Sequence, residues 1–241
     1  MSRETQNLVL FLLGVAVLKT TLDGSFMRYV KPSLEPYLLI SGTVIVVLAA
    51  AAMITDIRAG GPSSFEHDHG HGHADRMPWL LMAPALVVLF LAPPALGPGS
   101  FVERQVQPPS SSADLRAFDP IPQGTTPEMT FSEVLQRNRL DSAGTLDDRE
   151  IAVRGYAVAR ADGGVDLARI VIICCAADAR TAKIKLTGPE ATRMTDVGSE
   201  QWWRVVGTVI PGSATEQNEF VPEMRVVSVE RTTAPENTYS Y

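Results

Sequence analysis

The chain has 241 residues, 45% of them hydrophobic, with a mean hydropathy of +0.07 and a formal charge of −6. Two cysteines are too few for a disulfide-built scaffold, and the acidic balance argues against a phosphate-binding surface. The averages conceal a division, because residues 1–97 are mostly apolar whereas residues 98–241 have the mixed composition of a soluble domain.

About 20 apolar residues in a helix cross the hydrocarbon core of a bilayer. Residues 1–97 predict a membrane region of three such helices. The first covers 8–22 and continues towards Val30, with Asp23 and Arg28 then at the interface. A cleaved signal peptide is the poorer reading, since the leading region carries only Arg3 and no small-x-small site follows. The second span, 37–54, is rich in Val, Leu and Ala and closes at Asp56 and Arg58. The third, 79–96, opens on Trp79 and contains Pro84, Pro93 and Pro94, which suggest a kink. Three spans put the termini on opposite sides of the membrane. Basic residues are balanced between the two sides, so charge does not orient the chain. The Pro/Ser-rich segment that follows is typical of tethers to exported domains. It places the N-terminus in the cytoplasm and the C-terminal domain outside.

All four histidines fall in the loop 60–77, at alternate positions His67, His69, His71 and His73 and close to Asp75. Neutral imidazole is the commonest ligand for divalent transition metals, and the intervening glycines let several rings approach one ion. The alternative is a solvated low-complexity loop that binds metal only incidentally.

Residues 98–127 are dense in Pro, Ser and Gln and read as a linker. The soluble domain spans 128–232, with 233–241 as a tail. Thr130 and Glu133 have capping-box spacing, which predicts one short helix over 130–139. Strand-like runs follow at 150–159, 165–175, 182–186, 202–210 and 220–229, punctuated by Gly163-Gly164, Gly188-Pro189 and Pro211-Gly212. The continuous apolar run Ile170–Ile173 suits a strand buried on both faces. Interior glycines at Gly155 and Gly207 permit sharp bends. The expected fold is therefore an α-helical membrane region followed by a mainly-β domain, an OB-like small barrel with one short helix. A β-sandwich fragment is the alternative. OB barrels often bind nucleic acid, but residues 101–241 hold 15 Lys and Arg against 20 Asp and Glu, which argues against it. Trp202 and Trp203 face opposite sides of a strand, so one is expected in the core and the other at the rim.

The two cysteines are neighbours, Cys174 and Cys175. A disulfide between them would be strained, because consecutive Cα atoms lie about 3.8 Å apart, below the usual disulfide range. On a regular strand the two thiols would point apart, so a shared ion needs the strand to break or bulge there. The Ala176–Ala179 segment could supply that break and Asp178 an oxygen ligand. The alternative is one cysteine packed in the core and one near the surface. No histidine is present in the soluble domain to act as a base, and no phosphate-binding loop of the Walker type occurs. An enzyme is therefore not expected.

The stretch Arg169–Ala179, with its Cys-Cys-x-Ala-Asp-Ala motif, resembles the signature of the YcgQ-like permease-subunit family; Trp203-Arg204-Val205-Val206-Gly207 fits it as well. Members of that family are similar to this chain in order, from N-terminal spans through a His-rich loop to a small β-rich domain. The resemblance implies an accessory subunit of a separate multi-spanning membrane permease, in a pathway that includes a metal-associated GTPase. It also implies transport of a divalent transition metal resembling zinc. Zinc or copper is the expected metal, with His67, His69, His71, His73, Cys174, Cys175 and Asp178 as candidate ligands. A membrane-anchored redox or assembly protein that uses the vicinal cysteines is the alternative function.

Overall fold

The computed structural model describes residues 3–58, 86–87, 90, 96–97, 115–194, 197–198, 201–235 and 237–241. The run His67–His73, most of the third expected span and the linker as far as residue 114 lie outside the described residues. The chain divides into two compact units, Met1–Pro94 and Ala95–Tyr241.

In the first unit, helices α1 (Arg3–Leu22) and α2 (Glu35–Arg58) pair as a hairpin. Their contacts run in opposite order: Gly14 meets Ile45 and Val46, Gly42 meets Val17 and Leu18, and Asn7 Nδ2 donates to Asp56 Oδ2 at 3.1 Å. The interface is built of small residues, with Ala16 and Ala49 buried beside these glycines. A Cβ on Gly14 would come within 2.8 Å of Val46 Cγ2, so the closeness of the helices depends on its absence. The large side chains instead point outward, Ile40 being 64% and Leu48 65% exposed.

Helix α1 does not continue towards Val30. It stops at Leu22, and Gly24 follows with φ +75°, a left-handed conformation that only glycine adopts at little cost. A 3-10 turn over Ser25–Arg28 and another that opens on Pro32 then lead into α2. The segment Pro32–Arg58 is long and apolar enough to cross a membrane; the apolar part of α1, Gln6–Leu22, is shorter.

The second unit is mostly β. Strand β1 (Glu128–Met129) precedes helix α3 (Phe131–Leu140), and strands β2 (Glu150–Ala159), β3 (Val165–Val171), β4 (Arg180–Thr187), β5 (Trp202–Val209) and β6 (Glu223–Thr232) complete a six-stranded sheet. Thr130 caps α3 by accepting from the Glu133 N–H at 3.2 Å, while the Glu133 carboxylate pairs with Arg137 at 3.0 Å. Phe131 and Val134 are fully buried.

The strand order is β1-β2-β3-β4-β6-β5, and β2 also pairs with β5. The pairings of β2, β3, β4, β6 and β5 thus form a ring. They are antiparallel except for β4 with β6. The glycines expected to bend the strands do so by close approach. Gly155 faces the Ala168 carbonyl, which a Cβ would meet at 2.6 Å, and Gly207 sits where the β5–β6 register shifts.

Three differences from the sequence reading bear on the site. Strand β3 ends at Val171, not at the cysteines, and Ile173 is 66% exposed although it continues the apolar run. The reason lies in residues 237–241, which pack into the domain and are not a loose tail. The Ser240 N–H donates to the Ile170 carbonyl at 2.9 Å, and the Ile172 N–H donates to the Ser240 carbonyl at 3.0 Å. The buried Arg169 guanidinium donates to the carbonyls of Asn237, Thr238 and Tyr239. Tyr239 joins Ile170, Ile172 and Ala179 in a second apolar cluster. Finally, both tryptophans are buried: Trp203 lies in the main core, and Trp202 packs on Tyr156 with centroids 4.3 Å apart. Arg169 lies over Trp202, which explains why that ring is not at a wet rim.

Candidate metal centre

The β3–β4 connection, residues 172–179, carries Cys174, Cys175 and Asp178. Its apolar anchors, Ile172 and Ala179, are pinned against Tyr239, so the loop starts and ends at fixed points. Between them the chain closes a 3-10 turn over Ala176–Asp178. This is the break that two adjacent thiols require to face one point.

Asp178 organises the turn. Its Oδ1 accepts from the Ile173 N–H at 2.7 Å, and its Oδ2 from the N–H groups of Cys174 at 2.8 Å and Cys175 at 3.1 Å. The Cys174 thiol also donates to Oδ2 at 2.7 Å, and the two Sγ atoms stand 3.7 Å apart. Ligand atoms of the three residues all lie within 4.8 Å of one another. Cys174 is exposed, while Cys175 and Asp178 are half-buried. Both cysteines are free thiols.

The electrostatics follow from these bonds. Hydrogen bonding to Asp178, with a smaller contribution from Cys175, pushes the Cys174 thiol up to about 11. For Asp178 burial acts upward, but the hydrogen bonds from Cys174 and from the backbone of Ile173, Cys175 and Cys174 together outweigh it and hold the carboxyl at about 2. At neutral pH the loop therefore holds a thiol proton against a carboxylate. Thiolates and a carboxylate on one ion suit zinc or copper far better than magnesium or calcium.

The structure thus brings together Cys174, Cys175 and Asp178 of the expected ligands; His67, His69, His71 and His73 lie outside the described residues. Sequence reasoning missed Arg169, Tyr239 and Ser240, which hold the ends of the loop. The sequence carried a weak trace of them in the two aromatic residues, Tyr239 and Tyr241, of an otherwise polar C-terminal segment.

A helical N-terminal unit followed by a mostly-β domain with a Cys-Cys-Asp turn defines the class of this chain. Sequence comparison makes the class specific. The DUF1980 N-terminal domain matches residues 5–102 and the DUF1980 C-terminal domain matches residues 130–241, so the chain belongs to the DUF1980 family. No curated protein matches it. Among solved structures, the crystal structure of a "putative aspartyl-tRNA synthetase" from Leishmania major Friedlin is similar over 51% of this chain, at 15% identity and a TM-score of 0.27. The match spans 24% of that chain, and so slight a likeness carries no argument about fold or activity.

Proposed function

We propose that the protein is a membrane-anchored accessory subunit of a separate multi-spanning permease that moves a zinc-like divalent metal. The observation that carries this reading is the convergence of two thiols and a carboxylate within 4.8 Å on one turn. A membrane location is supported by the length and apolarity of Pro32–Arg58 and by the large apolar side chains on the outside of the hairpin. In this reading the chain is multi-pass, with a cytoplasmic N-terminus and the β domain on the other side. The ring of strand pairings, with one parallel pair, supports an OB-like barrel for that domain. The His67–His73 run collects ions, the cysteine turn holds them, and a metal-associated GTPase serves the same pathway. Two or three helices hardly enclose a transport path, so the permease itself is a separate chain and this subunit catalyses no reaction.

A membrane-anchored redox or assembly protein that uses the vicinal cysteines is the second reading. The hydrogen bond from Cys174 to Asp178 favours the thiol over the thiolate that both redox chemistry and metal binding require, so elemental analysis for bound metal, and not the thiol's protonation, separates the two.

The test begins with the tagged full-length chain, purified from membranes under mild detergent. A multi-spanning protein is expected to co-purify, and elemental analysis is expected to find zinc or copper that the Cys174→Ser, Cys175→Ser double variant lacks. Strains deleted for either protein should share one growth defect under metal limitation. Recovery of the chain in the soluble fraction, or deletion strains indifferent to metal supply, would end this reading.

A further inference from the structure

We infer that Cys174, Cys175 and Asp178 are three corners of a tetrahedral site for a zinc-class divalent ion in transit, with the fourth corner open to an incoming donor on the exposed side of Cys174. This rests on the metal-handling reading above and specifies the ion class and the manner in which it is passed on.

The argument starts from the sulfur positions. Two thiolates bound to one tetrahedral ion at about 2.3 Å stand about 3.8 Å from each other. The two Sγ atoms are 3.7 Å apart. A linear two-thiolate arrangement, the geometry open to Cu(I), needs about 4.6 Å at the same bond length. The spacing matches the tetrahedral edge and falls short of the linear one.

The carboxylate adds the third corner. A sulfur-to-oxygen edge of that tetrahedron is about 3.5 Å. Cys174 Sγ and Asp178 Oδ2 are closer, at 2.7 Å, as donor and acceptor of a hydrogen bond. Arrival of a divalent ion replaces the proton on Cys174 and the one on Cys175. Both leave to water, the edge lengthens, and the complex carries a net charge of −1 without oxidation or reduction. Asp178 does not have to be ordered for the purpose, since three backbone N–H groups already hold it.

The fourth corner decides the role. Structural zinc sites are closed by four protein ligands, whereas sites that exchange a ligand keep one position free. Among the described residues no fourth His, Cys, Asp or Glu joins the cluster, and Cys174 is exposed. An incoming imidazole or thiolate that reaches the exposed Cys174 side can bind before any of these three ligands leaves, which is how an ion passes between donors without being released to water.

The experiment uses the full-length chain in detergent with His67, His69, His71 and His73 all replaced by Ala, titrated anaerobically with Co(II). One equivalent is expected to give sulfur-to-cobalt charge-transfer absorption and the visible bands of tetrahedral cobalt. Added imidazole should shift the visible bands while the charge-transfer absorption persists, and Zn(II) should displace the cobalt. Cys174→Ser or Cys175→Ser should each remove about half of the charge-transfer intensity. Asp178→Asn should weaken binding about tenfold or more. Near-UV circular dichroism, to which the buried Trp202 and Trp203 contribute, confirms that each variant is folded. Three outcomes overturn the inference: no cobalt bound by a folded chain, bands that imidazole leaves unmoved, or an Asp178→Asn variant of unchanged affinity. Failure of the permease role looks different, because cobalt exchange would persist in a protein whose deletion has no effect on metal-limited growth.

Discussion

The helical hairpin and the β domain place the same kinds of residue in opposite positions. Between α1 and α2 lie glycines and alanines, Gly14, Ala16, Gly42 and Ala49, while Ile40, Val44, Val47, Leu48 and Ile54 face outward. In the β domain Phe131, Ile151, Leu167, Ile184, Trp203 and Met224 fill the centre. Both interfaces are packed, but only the β domain places its large apolar groups inside, where their removal from water stabilises the fold. Small residues at a helix interface let backbones approach in a solvent as apolar as leucine, where packing and not the hydrophobic effect holds helices together. The contrast is what the membrane location proposed for the hairpin would require, and the Cys174–Cys175–Asp178 turn belongs to the β domain. Three donors held within 4.8 Å need a rigid frame, which a closed ring of strands and a clamped C-terminal segment supply.

The contrast can be broken at several points. The largest expected effect is Phe131→Ala, which should destabilise the β domain by about 3–5 kcal/mol and leave the membrane attachment proposed for the hairpin unchanged. Loss of near-UV circular dichroism together with unchanged membrane fractionation would bear this out; release from the membrane would mean that the units are not independent. Next comes a matched pair of lysines. Leu48→Lys should cost about 2.5–3.5 kcal/mol of membrane insertion, whereas Val227→Lys, also at an exposed site, should change stability by no more than about 0.5 kcal/mol. Glycosylation-site insertion mapping and thermal melts provide the two readings. Equal tolerance of both changes would remove the argument for two solvents.

Smaller effects probe the frame of the turn. Arg169→Met removes the hydrogen bonds to three carbonyls of residues 237–239 and should cost about 1–3 kcal/mol. Limited proteolysis should then cut the C-terminal segment first, and metal affinity should fall although no ligand has changed. The pH dependence is subtler still. Asp178 is held at about 2 against an ordinary 3.8, so its contribution to the turn is complete above about pH 4 and is lost as pH falls through 2. Cys174 is raised to about 11 from 9.0, so its contribution is complete below pH 9 and is lost as pH rises through 11. The amide resonances of Ile173, Cys174 and Cys175 should therefore move together at both limits and stay constant between them. Metal affinity should rise with pH across the neutral range, because two thiol protons must leave.

Much of the fold was legible because local signals survive without knowledge of neighbours. The bounds of β2, 150–159, stand as read although its burial is nearly continuous and does not alternate, Thr130 caps α3, and Gly207 marks a register shift. The apolar run Ile170–Ile173 misled because hydrophobicity records a tendency to be buried, not the partner that buries. Ile172 is covered by Tyr239 from nearly 70 residues away, and Ile173 is left outside. The candidate ligands Cys174, Cys175 and Asp178 were legible as residue types, since soft donors and a nearby carboxylate are chemistry that a sequence states directly. Arg169 and the C-terminal segment were not, because an arginine on a strand and a serine near a terminus carry no local signal of what they will touch.

By itself, then, the sequence determined the division into an apolar helical part and a mixed β part, the positions of most strands and the identity of the candidate donors. These depend on composition and spacing along the chain, which folding does not alter. Whether the two adjacent thiols diverge or converge was decided only in three dimensions. On a continued strand their side chains would alternate across the sheet. Ser240 takes the hydrogen bonds at the end of β3, and the Asp178 carboxylate gathers three successive N–H groups, so the backbone turns and the sulfurs come to 3.7 Å.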